Sequence, residues 1–199
     1  MRLVVGITGA TGASLGVRTL QILKDAGVET HLVLSKWGAR TLLHETSHTI
    51  DYVKSLATET YSDNDQGAAI SSGSFITDGM IVVPCSVRTL AAIAHGHGDN
   101  LVHRAADVVL KERRKLVLMV REVPLSDIHL ENMLKLSRMG VVIAPPVPAF
   151  YTSPQTLDDV VNHIVVRALD QFGLHLNNAD RWLGMAAEGT DASRRTKGT

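Results

Sequence analysis

The sequence predicts a single α/β domain built as a three-layer, doubly wound parallel sheet, and three features carry that expectation. Apolar runs of strand length alternate five times with segments of helical period. The run at 115–120 is continuously apolar after its first residue rather than alternating, as a strand buried on both faces requires. The first run leads straight into a glycine-rich loop and then a helical pattern, the way such sheets open. With 199 residues, 45% of them hydrophobic, the chain can complete one core but not two comfortable ones. One domain is expected over residues 1–182, with 183–199 as a polar tail.

The first strand, residues 3–8, enters Gly9-Ala-Thr-Gly-Ala-Ser-Leu-Gly16 ahead of a helix carrying Val17, Leu20, Ile22 and Leu23. Small residues there let the first helical amides approach an anion such as a phosphate, with hydroxyls from Thr8, Thr11 and Ser14; a plain strand-to-helix turn reads the same way. Residues 29–34 form the second strand, ending in Ser35-Lys36. No acidic residue stands there for an NAD ribose, whereas Ser35, Lys36 and Arg40 suit a phosphate. Residues 36–45 read as helix, and Glu45 at its end resembles any solvated carboxylate. Residues 46–77 are the least regular, with a helical patch near 52–56, and excursions of that length often carry binding loops.

The third strand, 79–83, ends in Pro84-Cys-Ser-Val-Arg-Thr89 before a helix at 90–94. Ser86 is a natural N-cap, and with Thr89 it offers a second anion contact opposite the first loop. Cys85 is a candidate nucleophile or, as free cysteines more often are, a small buried hydrophobe. In His95-Gly-His97 no carboxylate or cysteine stands at ligand spacing, so a loop rather than a metal site is expected. Residues 100–124 then join a helix to a strand. Arg104 and Lys111, seven apart with Asp107 between, share a helix face that is either a solvated surface or a site. The strand 115–120 ends in Arg121-Glu122, at the edge where open α/β sheets bind ligands. A helix at 126–139, a strand at 141–144, the rigid exit Pro145-Pro-Val-Pro-Ala-Phe-Tyr151 and a helix at 156–172 bearing Arg167 complete the pattern. The loops after these strands would converge on one crevice if the strand order reverses beside the first strand.

Lys+Arg and Asp+Glu are each 20, so no global field favours nucleic acid or an anionic membrane, and any anion must be gripped locally. The lone cysteine, the absence of a signal-like or membrane-length apolar stretch, and the direct start into a strand fit a cytoplasmic protein.

The motifs Thr8-Gly-Ala-Thr-Gly-Ala13, Pro84-Cys-Ser-Val-Arg-Thr-Leu90, Arg104-Ala-Ala-Asp-Val-Val-Leu-Lys-Glu-Arg113, Leu116-Val-Leu-Met-Val-Arg-Glu122, Ile128-His-Leu-Glu-Asn-Met133 and Pro148-Ala-Phe-Tyr151 together resemble the UbiX-type flavin prenyltransferases. Within that family the chain is most similar to the members known as the B-type subunits of hydroxyarylic (phenolic) acid decarboxylases, over residues 1 to about 182. The resemblance implies a flavodoxin-like Rossmann fold, a homododecamer with FMN held between subunits, and metal-free transfer of a dimethylallyl group from dimethylallyl phosphate to N5 and C6 of reduced FMN. A separate prenyl-FMN-dependent decarboxylase would consume the product. Carried over residue by residue, Gly9, Ala10, Thr11, Ser35, Ser86, Val87, Arg88, Thr89 and Arg121 fall at flavin-binding positions. Arg104, Lys111, Arg121, Tyr151 and Arg167 fall at prenyl-phosphate positions, while Glu45, Lys111 and Glu122 are the implied catalytic groups. Thr11 stands where many relatives have serine, and Arg167 where some have lysine.

Three rivals share parts of the pattern. An NADP reductase of the short-chain type would want Tyr-x-x-x-Lys, which Tyr52, Tyr61 and Tyr151 all lack. An FMN-dependent cysteine decarboxylase shares the Pro-x-Ser turn but not its asparagine. An FMN-carrying subunit without turnover, or a phenolic acid decarboxylase in its own right, would show the same flavin-binding residues.

Overall fold

The computed structural model describes residues 1–176, 181, 182 and 184, so the tail expected from 183 lies outside the described residues except for Gly184. Six parallel strands form the central layer: β1 (Arg2–Ile7), β2 (Glu29–Leu34), β3 (Glu59–Tyr61), β4 (Gly79–Cys85), β5 (Lys115–Val120) and β6 (Val142–Ile143). Around them lie α1 (Ala13–Asp25), α2 (Lys36–Glu45), α3 (Ile50–Ser55), α4 (Val87–Ala94), α5 (Leu101–Lys111), α6 (Asp127–Arg138) and α7 (Leu157–Leu169). No helix among the described residues is long and apolar enough to cross a membrane.

The strand order is β3-β2-β1-β4-β5-β6, so the winding reverses between β1 and β4 and opens a crevice above their carboxyl ends. Without the three-residue edge strand β3, the order is that of a flavodoxin-like sheet. Each face of the sheet has its own core. Leu3, Val5 and Ile7 meet Leu20 and Leu23 of α1 and Val165 and Leu169 of α7 on one side. On the other, Val4, Met80 and Leu118 meet Leu90 of α4, Val102 and Ala106 of α5 and Leu136 of α6.

The sequence pattern anticipates five of the strands and misses β3, whose Glu-Thr-Tyr has no apolar run because it lies on the edge. The last helix is shorter than expected: α7 stops at Leu169 and a 3₁₀ turn, Asp170–Phe172, follows. The helix after β4 begins at Val87, directly behind its cap Ser86.

Six of these helices carry a side-chain N-cap, namely Ser35, Thr49, Ser86, Asn100, Ser126 and Thr156. Helix α1 is the exception, since Gly12 precedes it in the left-handed conformation with φ 100° and caps nothing through a side chain. Two other glycines let helices settle onto strand ends: a Cβ at Gly16 would stand 2.8 Å from the Val83 carbonyl oxygen, and one at Gly38 would stand 2.6 Å from that of Ile7. Backbone cannot yield as a flexible side chain can, so Gly38→Ala should lower unfolding stability by about 1–3 kcal/mol. The expected observation is a lower denaturant midpoint at unchanged m-value; an unchanged midpoint contradicts the close approach of α2 to β1.

Candidate active site

The glycine loop does not present its amides to an external phosphate. Glu45, at the last turn of α2, reaches across so that its Oε2 accepts from the Gly12 and Ala13 amides at 2.8 and 2.9 Å. The carboxylate therefore supplies the cap that Gly12 lacks and sits where the helix dipole favours an anion. Burial works to raise its pKa, but hydrogen bonds from the Thr11 hydroxyl and the two amides outweigh it and hold the carboxyl below its usual range. This corrects the expectation of a phosphate at α1: the negative charge there is the chain's own. Ala10, Thr11 and Glu45 remain at the open edge of the loop.

A second loop pair is tied together by Thr8, which donates to the Pro84 carbonyl at 2.7 Å and accepts from the Ser86 amide at 2.9 Å. Beside it opens a cavity of about 470 Å³, walled by Thr8, Gly9, Ser35, Lys36, Ser86, Arg88, Thr89 and His103 among others. That volume lies within the roughly 300–1,000 Å³ of small-molecule sites. Gly9 is required here because a Cβ would stand 2.5 Å from that of Trp37. The amino termini of α2, α4 and α5 all meet this cavity through Ser35, Ser86 and Asn100. Ser35 caps Gly38, and Ser86 caps Thr89 while donating to its hydroxyl, so both serve the fold as well as any ligand. Asp63 accepts from the Lys36 amide at 3.1 Å, so α2 too already holds a carboxylate. Among the described residues, the Val87 and Arg88 amides of α4 make no such bond. The free amides at the cavity are thus those of α4 and not those of α1.

His103 is a feature that the sequence pattern gives no reason to pick out. It is 3% exposed, and its Nδ1 is sealed with no hydrogen-bond partner among the described residues. Such an atom costs about 1–3 kcal/mol when left unpaired. Burial lowers the ring's pKa, opposed by the charge of Asp99, and so favours the neutral form. These uncommitted groups, the cavity and the paired cations Lys36 and Arg88 fit the phosphate-bearing arm of a flavin mononucleotide.

Arg121 follows β5 in register beside the end of β4, where Cys85 pairs with Val120, and its amide donates to the Cys85 carbonyl at 3.0 Å. It therefore stands next to Ser86, with Glu122 behind it. Tyr151 lies in a short turn after β6, donating to or accepting from His163 Nε2 at 3.0 Å, and packs edge-on against Trp182. Tyr151 and Arg167 line a separate cavity of about 380 Å³, with His163 and Gln171 and an apolar wall that includes Met119, Val142, Ala144 and Ile164. Arg167 is paired there with Asp170.

Two predicted residues are elsewhere. Arg104 donates to the Ser71 carbonyl at 3.1 Å and to Asp107 at 2.7 Å, and Lys111 pairs with Glu112 beside Gly73. Helix α5 runs back to the amino edge of the sheet, so the whole of β5, about 17 Å at 3.3 Å per residue, separates the level of Lys111 from that of Arg121. Within one chain, then, the implied prenyl-phosphate residues do not form one cluster. Cys85 is fully buried and burial pushes its thiol far up, which removes it as a nucleophile. His95 is bonded to Asn132 and His97 to Asp99, and no metal-holding group exists among the described residues.

Fold and cavity together define a flavodoxin-like α/β protein with a small-molecule site at the crevice edge and uncommitted amides at the start of α4. The flavoprotein family profile matches residues 1–169. A probable UbiX-like flavin prenyltransferase of Bacillus subtilis is 63% identical over 93% of this chain and 91% of its own length. A dodecameric FMN-dependent UbiX-like decarboxylase from Escherichia coli O157:H7 superposes with a TM-score of 0.91 at 61% identity, covering 92% of this chain and all of that one. AnUbiX (PadA1), solved in complex with FMN and dimethylallyl pyrophosphate, gives 0.92 at 52% identity over 93% and 98% of the two chains. The chain belongs to the flavoprotein family and, within it, to the UbiX-type flavin prenyltransferases.

Glu45 offers a test of the loop geometry. Its pKa is lower folded than unfolded, so the stability it contributes is complete above its ordinary value of 4.5 and is lost as pH falls below that. Glu45→Gln should lower the melting temperature at pH 7 and flatten its decline between about pH 5 and 3. Superimposable acid profiles for the two proteins contradict the pairing.

Proposed function

We propose that this protein transfers the dimethylallyl group of dimethylallyl phosphate to reduced FMN, forming bonds at N5 and C6 and releasing phosphate, and so supplies prenylated FMN to a separate aromatic acid decarboxylase. The observation that carries the reading is the cavity at the uncommitted amides of α4 beside Arg121, at the crevice edge of a chain that is 63% identical to a probable UbiX-like flavin prenyltransferase.

Reduced FMN is the acceptor and supplies the electron-rich ring that captures the allyl group. The residues of the chain do the rest. Val87, Arg88, Ser86 and Thr89 hold the flavin's phosphate, while Gly9, Ala10 and Thr11 give the ring a floor without side-chain bulk. Breaking the allylic C–O bond concentrates charge on the departing phosphate, and fixed cations aimed at it lower that barrier more than water does. Arg121, Arg167 and the Tyr151 phenol are the donors of one copy. Lys111 enters from a neighbouring copy, because α5 carries it away from the crevice of its own chain, while Arg104, in the first turn of α5, is turned to the Ser71 carbonyl and Asp107. Glu122 orients these cations. Glu45, ionised and held at the loop edge, is the group placed to accept the C6 proton.

Anaerobic incubation of the protein with reduced FMN and dimethylallyl phosphate, followed by mass spectrometry of the extracted flavin, should show the mass gain of one dimethylallyl group. Bound FMN of unchanged mass overturns the transferase reading and leaves a flavin-carrying subunit. In the same assay Thr11→Ser should retain activity within about threefold, since the hydroxyl that bonds Glu45 is kept, whereas Thr11→Val should lose roughly tenfold or more. Equal rates for the serine and valine variants contradict a role for that hydroxyl.

A further inference from the structure

His103 stands in the first turn of α5, where Asn100 caps its amide at 3.0 Å, and shares the cavity wall with Lys36, Ser86, Arg88 and Thr89. The groups around it that could satisfy its Nδ1 are engaged elsewhere: Asp99 takes His97 and Arg88, the Asn100 Oδ1 takes the His103 amide and its backbone carbonyl the Arg104 amide, and Ser86 and Thr89 bond one another. A leucine would fill the same space without an unpaired polar atom, so the fold alone gains nothing from an imidazole here. A ligand does.

We propose that His103 is a binding residue for the phosphate of FMN, its imidazole donating the hydrogen bond that a phosphate oxygen accepts when seated on the Val87 and Arg88 amides. The inference rests on the functional reading above and adds to it a residue outside the carried-over set. Formal charges around the cavity balance, with Lys36 and Arg88 against Asp63 and Asp99, so direction rather than net charge must select the phosphate. A neutral imidazole offers one N–H donor without adding charge, and a bond from it to an ionised oxygen is stronger than one to a hydroxyl. The residue already forms part of the cavity wall. Discrimination between FMN and riboflavin, which differ in the phosphate alone, is the consequence.

The experiment uses the full chain and its His103→Leu and His103→Gln variants. It measures dissociation constants for FMN and riboflavin by quenching of flavin fluorescence, and the melting temperature of each flavin-free protein. His103→Leu should bind FMN about tenfold more weakly and riboflavin within about twofold of the parent, and melt no lower. His103→Gln, which keeps a donor, should recover most of the FMN affinity. Unchanged FMN affinity in the leucine variant overturns the proposal, and an equal loss for both flavins places the contact away from the phosphate and overturns it too. A leucine variant that melts well below the parent makes His103 a packing residue and likewise overturns the proposal. Failure of the parent protein to bind either flavin is a different result, and it overturns the functional reading itself.

Discussion

Parallel strands confine this protein's chemistry to one edge. All six strands point their carboxyl ends to the same edge, and α5 carries the chain back from it to the opposite one, so a residue's position along its element decides which edge it serves. Ser86, Arg121 and Glu122, just past strand ends, are held at the crevice by the β4–β5 pairing itself. Lys111, at the end of a returning helix, cannot join them without unwinding α5. The separation of the implied prenyl-phosphate residues follows from the fold. For a reaction that needs them together, a second copy is the remaining source.

The same constraint explains why the first glycine loop is not a phosphate site. Its amides face the crevice, but α2 also begins there, folds back beside α1 and ends with Glu45 within reach of Gly12 and Ala13. An internal carboxylate meets the helix dipole, and the proposed mechanism gives that loop edge the proton. The proposed phosphate position falls to α4, whose first amides are uncommitted among the described residues and whose cap Ser86 is locked by Thr8. One loop fixes charge and the other accepts it, about one strand spacing apart across β1 and β4.

Much of this was legible in the residues. Apolar runs give away β1, β4 and β5 because both faces of each are buried, and the apolar second half of β2, Leu32 to Leu34, does the same, whereas β3 is three residues at an edge with only Tyr61 to betray it. Ser86 could be read as a cap because capping is local. Glu45 could not be read from spacing, since its partners lie 32 and 33 residues away. The resemblance pointed to it, and the missing side-chain cap at Gly12 was the physical clue. His103 left no trace in the pattern, as a histidine in the first turn of an amphipathic helix reads as surface. Only its burial and its unpaired nitrogen set it apart.

An active site divided between copies has a signature that no single-chain site can imitate. Glu45→Gln and Lys111→Ala each remove a group to which the proposed mechanism gives a role, and in a shared site the two groups come from different chains. Prenyl transfer by oligomers assembled from both variants is therefore the most direct measurement. With random mixing in a symmetric assembly, about a quarter of the sites draw both intact groups, and that share of activity should return. Mixed oligomers as inactive as either variant alone contradict the shared site.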